Sequence, residues 1–231
     1  MQNEREYYQP LAAAYIRGKL SAVAGQRYPE LFQPELEALS AGERARLVEL
    51  AHEHELRIHR FKYTQGLPRV QKILGILRGL QPANLLDIGS GRGVFLWPLL
   101  DAWPDLPVTC LDRLEYRVND LQAMQAGGIT RLSALHGDVT ALPFAGRSFE
   151  VVTMLEVLEH IPVPRLALAE VCRVASRFVL LSVPSRADDN PEHIHLFTKA
   201  DIQAMLTELG VTRVRFEYVL NHLIVIARIE Q

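Results

Sequence analysis

The sequence has little cysteine and no long apolar run. Cys110 and Cys172 are its two cysteines among 231 residues, too few for a disulfide framework. No stretch approaches the roughly 18 uninterrupted apolar residues that a membrane span needs. The amino terminus, MQNEREYYQP, lacks the basic and apolar segments of a secretory signal. We therefore expect a cytoplasmic protein with no membrane span.

The chain also lacks an excess of charge of either sign. Its formal net charge is −2 at pH 7, with 25 Lys and Arg against 27 Asp and Glu, so no overall field attracts nucleic acid. Basic side chains do cluster between residues 57 and 78, where they form either a local patch or the solvated face of a helix. The composition favours a small-molecule partner, leaves nucleic acid open and does not fix the oligomeric state.

The pattern of apolar residues divides the chain near residue 66. Residues 1–66 show helical spacing and no convincing strand, with Pro29 and Pro34 as breaks. From residue 84 short apolar runs alternate with helical segments, which predicts an α/β fold with a mostly parallel, doubly wound sheet. A hairpin-length link joins the last two runs, so the final strand should be antiparallel. The expected strands are 84–88, 108–111, 132–136, 151–155, 178–183, 213–219 and 223–229.

A glycine-rich loop follows the first predicted strand, in the run LLDIGSGRG at residues 85–93. Several nucleotide-binding folds use such a loop to bring the backbone close to a ligand. A dinucleotide site needs glycine where this chain has Val94, and a phosphate-binding loop of the GxxxxGK[ST] type needs a Lys-Ser/Thr pair that is absent. Asp87 would repel a pyrophosphate but suits an ammonium group. S-adenosylmethionine carries that ammonium and no phosphate.

Two more acidic residues follow predicted strands. Asp112 ends the second strand, where its carboxylate can accept hydrogen bonds from ribose hydroxyls. Asp138 and Val139 follow the third strand, near the position expected for an adenine ring. Each aspartate alone could be a turn former. Three carboxylates at successive strand ends nevertheless converge on one crevice, as expected where the strand order of an α/β sheet reverses.

With these motifs, residues of about 70 to 229 resemble the class I S-adenosylmethionine-dependent methyltransferases. The resemblance rests on LLDIGSGRG, CLDR, GDVTALPF and SFEVVTMLEVLEHI. It implies a seven-stranded sheet with an antiparallel last strand. One departure is that Val174-Ala175-Ser176-Arg177 stands where many members have a Pro-Gly-Gly turn. The resemblance assigns cofactor contacts to Asp87, Gly89, Ser90, Gly91, Asp112, Arg113, Asp138, Val139 and Leu155.

An acidic and histidine cluster follows the fourth predicted strand, where methyl acceptors usually lie. If a helical turn begins at Glu156, then Glu156, Glu159 and His160 share one face. His195 lies in the loop after the fifth strand, within PEHIH at residues 191–195. This loop should open at the same edge of the sheet, so the imidazole could approach the cluster.

Three interpretations of this cluster stay open. Glu159 and His160 could stabilise the loops through local hydrogen bonds while Glu156 reaches cofactor or water. Alternatively, His160 or His195 could be a general base for an acceptor hydroxyl, and the candidate catalytic residues are then His160, His195 and Glu156. In the third, Glu156, Glu159, His160 and His195 bind a divalent metal such as magnesium, manganese, zinc or iron.

The metal interpretation gains from a second resemblance. The ExxEH pattern with a later histidine is similar to the metal site of small-RNA 3′-terminal 2′-O-methyltransferases and to quinone-biosynthesis O-methyltransferases. It implies that Glu156, Glu159, His160 and His195 are metal ligands. The loop from His160 to His195 is shorter here, and the basic composition of an RNA enzyme is missing.

Together these observations predict an S-adenosylmethionine-dependent methyltransferase that acts on an oxygen of a small-molecule or other hydroxyl-bearing acceptor. We expect residues 1–66 to form a helical cap over the acceptor side and residues 67–231 to form the methyltransferase domain. The alternatives are a metal-dependent RNA 2′-O-methyltransferase and a regulatory protein that binds the cofactor without catalysis. An NAD-dependent oxidoreductase is disfavoured by Val94 and Asp87.

Overall fold

A computed structural model describes residues 7–63, 66–187 and 189–230. Residues 1–6 and 64–65, which belong to the predicted cap, lie outside the described residues. Within the described ranges, none of the helices has the length and apolar character required to cross a membrane. The predicted division into residues 1–66 and 67–231 stays a prediction.

The sheet has seven strands in the order β3-β2-β1-β4-β5-β7-β6. Strand β1 pairs in parallel with β2 and β4, and β4 pairs in parallel with β5. Strand β7 is antiparallel to both of its neighbours, β5 and β6. This arrangement confirms the predicted α/β fold with a mostly parallel sheet. The strands are β1 (Leu85–Ile88), β2 (Val108–Asp112), β3 (Leu132–His136), β4 (Phe149–Leu155), β5 (Ala175–Pro184), β6 (Val214–Val219) and β7 (His222–Arg228).

Two of the helices begin at a capping box. Ser40 and Glu43 form a capping box before the third helix, and Thr198 and Asp201 form another before the last. These reciprocal bonds satisfy backbone N–H groups that a helix start leaves without partners. The helices are α1 (Gln9–Ala24), α2 (Pro29–Phe32), α3 (Ala41–Glu53), α4 (Pro68–Leu80), α5 (Leu96–Ala102), α6 (Glu115–Ala126), α7 (Pro164–Val174) and α8 (Lys199–Glu208).

The structure corrects one predicted helix. The apolar residues between Glu43 and Phe61 have helical spacing and predict one helix, but α3 ends at Glu53. Two residues later Glu55 has a φ of 56°, a left-handed conformation that interrupts a right-handed helix. Residues 59–61 then form a separate 3₁₀ turn.

The chain divides into two units. One combines the described residues up to 63 with 91–105 and 114–134, and the other comprises 66–90, 106–113 and the described residues from 135 onwards. In the second unit α7 and α8 pack on the sheet through one apolar cluster. Its fully buried members include Leu168 and Val171 of α7, Leu206 of α8, and Val179 and Leu181 of β5. This core fixes the strands whose ends carry the candidate site.

In the first unit, glycines allow α1 and α6 to approach closely. A Cβ added to Gly18 of α1 would collide with the carbonyl oxygen of Ala123 in α6, and one added to Gly127 would collide with the carbonyl oxygen of Ala14. Lys19 adds an ion pair to Asp120 of α6 at 2.9 Å. Residues of the predicted cap are therefore packed directly against a helix that lies between β2 and β3 in the chain.

The turn at residues 59–61 is attached to the same unit. The Phe61 ring packs on the Trp97 ring of α5 with 4.9 Å between centroids. Trp97 Nε1 donates a hydrogen bond of 3.0 Å to the carbonyl oxygen of Arg60, while the Arg60 guanidinium is paired with Asp120 of α6. Within this unit the turn connects to α5 and α6 by apolar, hydrogen-bond and ionic contacts.

Candidate cofactor and acceptor site

The candidate site lies at the carboxyl ends of β1, β2 and β4. Strand register pairs Asp87 of β1 with Cys110 of β2 and with Thr153 of β4. Past the strands, the Gly89 N–H donates to the carbonyl oxygen of Leu111 at 2.8 Å, and the Gly137 N–H donates to that of Asp112 at 3.2 Å. The predicted convergence of these strand ends therefore exists in the second unit.

Asp87 is the most unusual group at this edge. Its side chain is 2% exposed, and the Thr153 hydroxyl donates to Oδ1 at 2.7 Å. The other oxygen, Oδ2, is buried and accepts no hydrogen bond within 3.5 Å from the part of the chain that the structure describes. Burial raises the pKa of Asp87 to about 6, against an ordinary value of 3.8. A buried carboxylate with one unbonded oxygen suits a cationic ligand.

The loop after β1 has the backbone conformation that its glycines permit. Gly89 and Gly91, on either side of Ser90, have φ values of 70° and 58°, which residues other than glycine rarely adopt. At Gly89 a Cβ would also lie 2.5 Å from Cγ2 of Val157. The loop can therefore bring its backbone close to a ligand beside Asp87.

The other predicted cofactor residues differ in exposure. Asp112 and Val139 are buried, at 4% and 5% exposure, whereas Leu155 is half-buried and Arg113 and Asp138 are exposed. Asp138 Oδ1 accepts hydrogen bonds from the backbone N–H and the hydroxyl of Thr140, at 2.8 and 2.7 Å. The Thr140 bonds lower the pKa of Asp138. Oδ1 of Asp138 is thus occupied by hydrogen bonds within the turn, and Oδ2 is the oxygen that could accept a hydrogen bond from a ligand.

The helical turn after β4 begins later than the sequence indicated. It is a 3₁₀ turn at Leu158–His160, and Glu156 precedes it with a φ of 55°. Because of this left-handed residue, Glu156 does not share a helical face with Glu159 and His160. The expected i,i+3 and i,i+4 arrangement from residue 156 is therefore wrong.

The turn instead brings Glu159 and His160 together with His193. One ligand atom of each lies within 4.8 Å of the others, and Glu159 is completely buried. His193 Nε2 is 4.0 Å from Glu159 Oε1, and the two imidazole rings are 4.8 Å apart at their centroids. Sequence reasoning missed His193, although it lies two residues before His195 in the same PEHIH run.

Backbone contacts attach the loop of residues 190–195 to this turn. His160 Nδ1 is 2.8 Å from the carbonyl oxygen of Glu192. The N–H groups of Ile194 and His195 both donate to the carbonyl oxygen of Glu159, at 3.0 and 3.2 Å. The main-chain carbonyl of Glu159 and the ring of His160 therefore attach this loop to the turn.

The structure does not bring Glu156 and His195 to that cluster. Ser182 donates from Oγ to Glu156 Oε1 at 2.6 Å, and His222 Nε2 is 3.2 Å from Glu156 Oε2. His195 Nε2 is 3.0 Å from the carbonyl oxygen of Ile161. Sequence reasoning also missed Ser182 and His222, because pairing between β5 and β7 brings them together and no local motif marks either.

Comparison with known proteins matches the part of the chain that carries this candidate site. Residues 86–178, from β1 into β5, match the family described as "Methyltransferase domain". The chain contains a class I S-adenosylmethionine-dependent methyltransferase domain. The matched residues include the glycine loop, Asp112, Asp138 and the turn after β4.

Two curated relatives of the methyltransferase domain differ in the acceptor that their names state. A malonyl-[acyl-carrier protein] O-methyltransferase from Methylococcus capsulatus is 25% identical over 173 residues, covering 66% of this chain and 62% of that protein. Ribosomal RNA small subunit methyltransferase G from Lactobacillus delbrueckii is 29% identical over 204 residues, covering 85% and 78%. The chain thus spans less than two thirds of the first relative.

Solved structures agree with the fold of this methyltransferase domain. A SAM-dependent methyltransferase from Aquifex aeolicus superposes with a TM-score of 0.58 at 24% identity, covering 71% of this chain and 92% of that one. At this identity the likeness concerns the fold, which is the Rossmann-like arrangement described above.

Proposed function

We propose that this chain is an S-adenosylmethionine-dependent methyltransferase that methylates an oxygen of a small, hydroxyl-bearing acceptor. The observation that carries the cofactor assignment is the buried Asp87 carboxylate beside the glycine loop. Its Oδ2 accepts no hydrogen bond from the described residues, and an ammonium group would supply one. A pyrophosphate at this position would add negative charge to a carboxylate that burial already disfavours.

The neighbouring residues support the rest of the cofactor. Asp112 would accept the ribose hydroxyls, Val139 would pack on the adenine ring and Asp138 would receive its amino group. When bound, S-adenosylmethionine supplies a methyl group that is already activated. The task left to the protein is to align the acceptor oxygen with that carbon, and Leu155 at the end of β4 would line the acceptor side.

Charge pairing favours a small acceptor over RNA. Of the basic side chains between residues 57 and 78, Arg60 is paired with Asp120 and Lys72 with Glu217. Cations neutralised in this way contribute less to the phosphate contacts on which nucleic-acid affinity depends. The balanced composition, with a net charge of −2, points in the same direction.

Two measurements test this proposal. Calorimetry should detect binding of S-adenosylhomocysteine and none of NAD. The protein is then incubated with [methyl-³H]S-adenosylmethionine and a cell extract separated into small-molecule and RNA fractions, and label should enter the small molecules. Label in RNA alone would favour the RNA alternative. Cofactor binding with no transfer to either fraction would favour the regulatory alternative.

A second candidate feature is a divalent metal at Glu159, His160 and His193. Their proximity supports it, since mixed carboxylate and imidazole ligands suit several divalent ions. Metal analysis of the purified protein and transfer with and without EDTA test this. Chelation and His193→Ala should both abolish transfer without changing S-adenosylhomocysteine affinity, whereas His195→Ala should be milder. A metal-free protein that ignores added magnesium, manganese or zinc would remove the candidate.

A further inference from the structure

A second polar constellation lies at the ends of β4, β5 and β7, apart from the Glu159 cluster. It consists of Glu156, Ser182 and His222. Ser182 is 1% exposed, and its hydroxyl donates to Glu156 Oε1 at 2.6 Å. Glu156 Oε2 is 3.2 Å from His222 Nε2. The serine therefore fixes the carboxylate, and the carboxylate fixes the imidazole.

The backbone supports this geometry at both ends. The Glu156 N–H donates to the Ser182 carbonyl oxygen at 2.9 Å, so residue 156 is attached to β5 by its main chain and its side chain. His222 begins β7 and is paired with Pro184 of β5. All three side chains thus project from neighbouring strand ends that the sheet positions.

Glu156 adopts this position in a conformation that is uncommon for its residue type. Its φ of 55° lies in the left-handed region, which disfavours residues with a Cβ. Such residues cluster at functional sites, where the surrounding structure maintains them. Glu156 follows Leu155, the residue expected at the methyl-transfer side of the cofactor. The pair of Glu156 and His222, with side chains 22% and 24% exposed, is open enough to meet a ligand.

We propose that His222 is the general base that accepts the proton of the acceptor, with Glu156 and Ser182 as its positioning residues. The inference rests on the proposed function. With Nε2–H directed at Glu156, the ring nitrogen Nδ1 is the one that can take a proton. The acceptor O–H proton passes to Nδ1, the oxygen electron pair forms the bond to the methyl carbon, and the carbon–sulfur electron pair stays on sulfur.

This arrangement also specifies the class of acceptor. A base is useful only for a group that must lose a proton as it is methylated, which fits an alcohol or a phenol. A carboxylate is already ionised near neutral pH and gains nothing from His222. The constellation therefore favours a hydroxyl acceptor over a carboxylate such as that of a malonyl thioester.

One experiment determines the tautomer of the His222 imidazole directly and needs no methyl acceptor. In protein labelled with ¹⁵N-histidine, long-range ¹H–¹⁵N spectra at pH 8.5 should show His222 with its proton on Nε2, assigned by loss of the signal in His222→Gln. Glu156→Gln should convert this to a mixture of tautomers. A proton on Nδ1 in the parent protein, or identical spectra in Glu156→Gln, would overturn the proposal.

The second experiment links the imidazole to transfer, using the tritium assay with the small-molecule fraction of the cell extract. General-base catalysis is commonly about 100- to 10,000-fold, so we expect His222→Ala to slow transfer by at least about 100-fold and added imidazole to restore part of the rate. S-adenosylhomocysteine affinity should stay within about twofold. The exposed His52 of α3 provides the control, His52→Ala, with no change expected.

The outcomes distinguish failure of the proposed function from failure of the general-base role. A parent protein that binds S-adenosylhomocysteine but transfers no label to any fraction contradicts the proposed function itself. An active parent protein with an equally active His222→Ala variant contradicts the general-base role alone. Loss of S-adenosylhomocysteine binding in His222→Ala would show a role in the cofactor pocket and would likewise overturn the proposal.

Discussion

Replacing Asp87 by asparagine should stabilise the protein without ligand while removing cofactor binding. Burial raises the pKa of Asp87 from 3.8 to about 6, a shift of about two units, and each unit corresponds to about 1.4 kcal/mol. The ionised carboxylate thus costs about 3 kcal/mol of folding free energy at neutral pH. The Asp87→Asn substitution removes this cost, and the carbonyl oxygen of the amide can still accept the hydrogen bond from Thr153.

The new amide N–H₂ takes the place of Oδ2, which has no partner among the described residues. An unsatisfied buried donor costs about 1 to 3 kcal/mol. The expected net gain is therefore between about 0 and 2 kcal/mol, or up to roughly 8 °C in Tm for a chain of this size. Thermal unfolding monitored by circular dichroism measures it, and calorimetry with S-adenosylhomocysteine measures the loss of binding.

The stability gained by Asp87→Asn should decrease as the pH falls. Because the pKa of Asp87 is higher in the folded than in the unfolded state, the cost is complete above about pH 6 and disappears as the pH falls towards about 4. The advantage of Asp87→Asn should shrink by about 2 kcal/mol between about pH 7.5 and 4.5. The control Asp105→Asn removes an equal charge at an exposed turn and should change little. A variant less stable than the parent at the higher pH, or a gain independent of pH, would refute this reasoning.

Three other measurements test contacts described above. Burial raises the pKa of Asp87 to about 6, so at about pH 5 the carboxyl must lose its proton before it binds the ligand. The affinity for S-adenosylhomocysteine, measured by calorimetry, should therefore fall about tenfold from about pH 7.5 to 5. An affinity that does not change with pH would contradict this. Asp112→Ala should weaken that affinity roughly 30- to 150-fold through lost charged hydrogen bonds, while Asp105→Ala should not, and equal affinities would mean that Asp112 does not contact the cofactor. Gly18→Ala should lower the free energy of unfolding, measured in urea, by about 1 to 3 kcal/mol. The control is Gly75→Ala, whose added Cβ has nothing within 4 Å; it should be neutral or stabilising by up to about 1 kcal/mol. Equal effects of the two substitutions would refute the close contact between α1 and α6.

The sheet and the strand ends that carry Asp87 and Asp112 could be predicted because their signals are local. Each strand is a short apolar run between turn residues, and the glycine loop directly follows one of them. Asp87 and Asp112 lie near the ends of β1 and β2, so parallel pairing alone brings them to one edge. The bounds of β3, Leu132–His136, agree with the sequence-based prediction.

The contacts around Glu156 and His160 could not be predicted in the same way, because residues far apart in the chain determine them. The predicted helical turn from Glu156 requires a right-handed backbone conformation. Residue 156 instead has a left-handed conformation, and its carboxylate accepts a hydrogen bond from Ser182. The β5–β7 register places His222 next to that carboxylate, and this register depends on residues far apart in the chain. His193, not His195, joins His160 because the loop is attached through the carbonyl oxygens of Glu159 and Glu192.

The close contact between α1 and α6 has a consequence for engineering the protein. A polypeptide begun at residue 67 would retain α6 but lose the helix whose Gly18 and Ala14 backbone fits against Ala123 and Gly127. The uncovered face would carry small residues shaped for a partner helix, and Asp120 would lose both Lys19 and Arg60. Expression of residues 67–231 alone should therefore give aggregated material, and supplying residues 1–66 as a separate polypeptide should recover soluble protein.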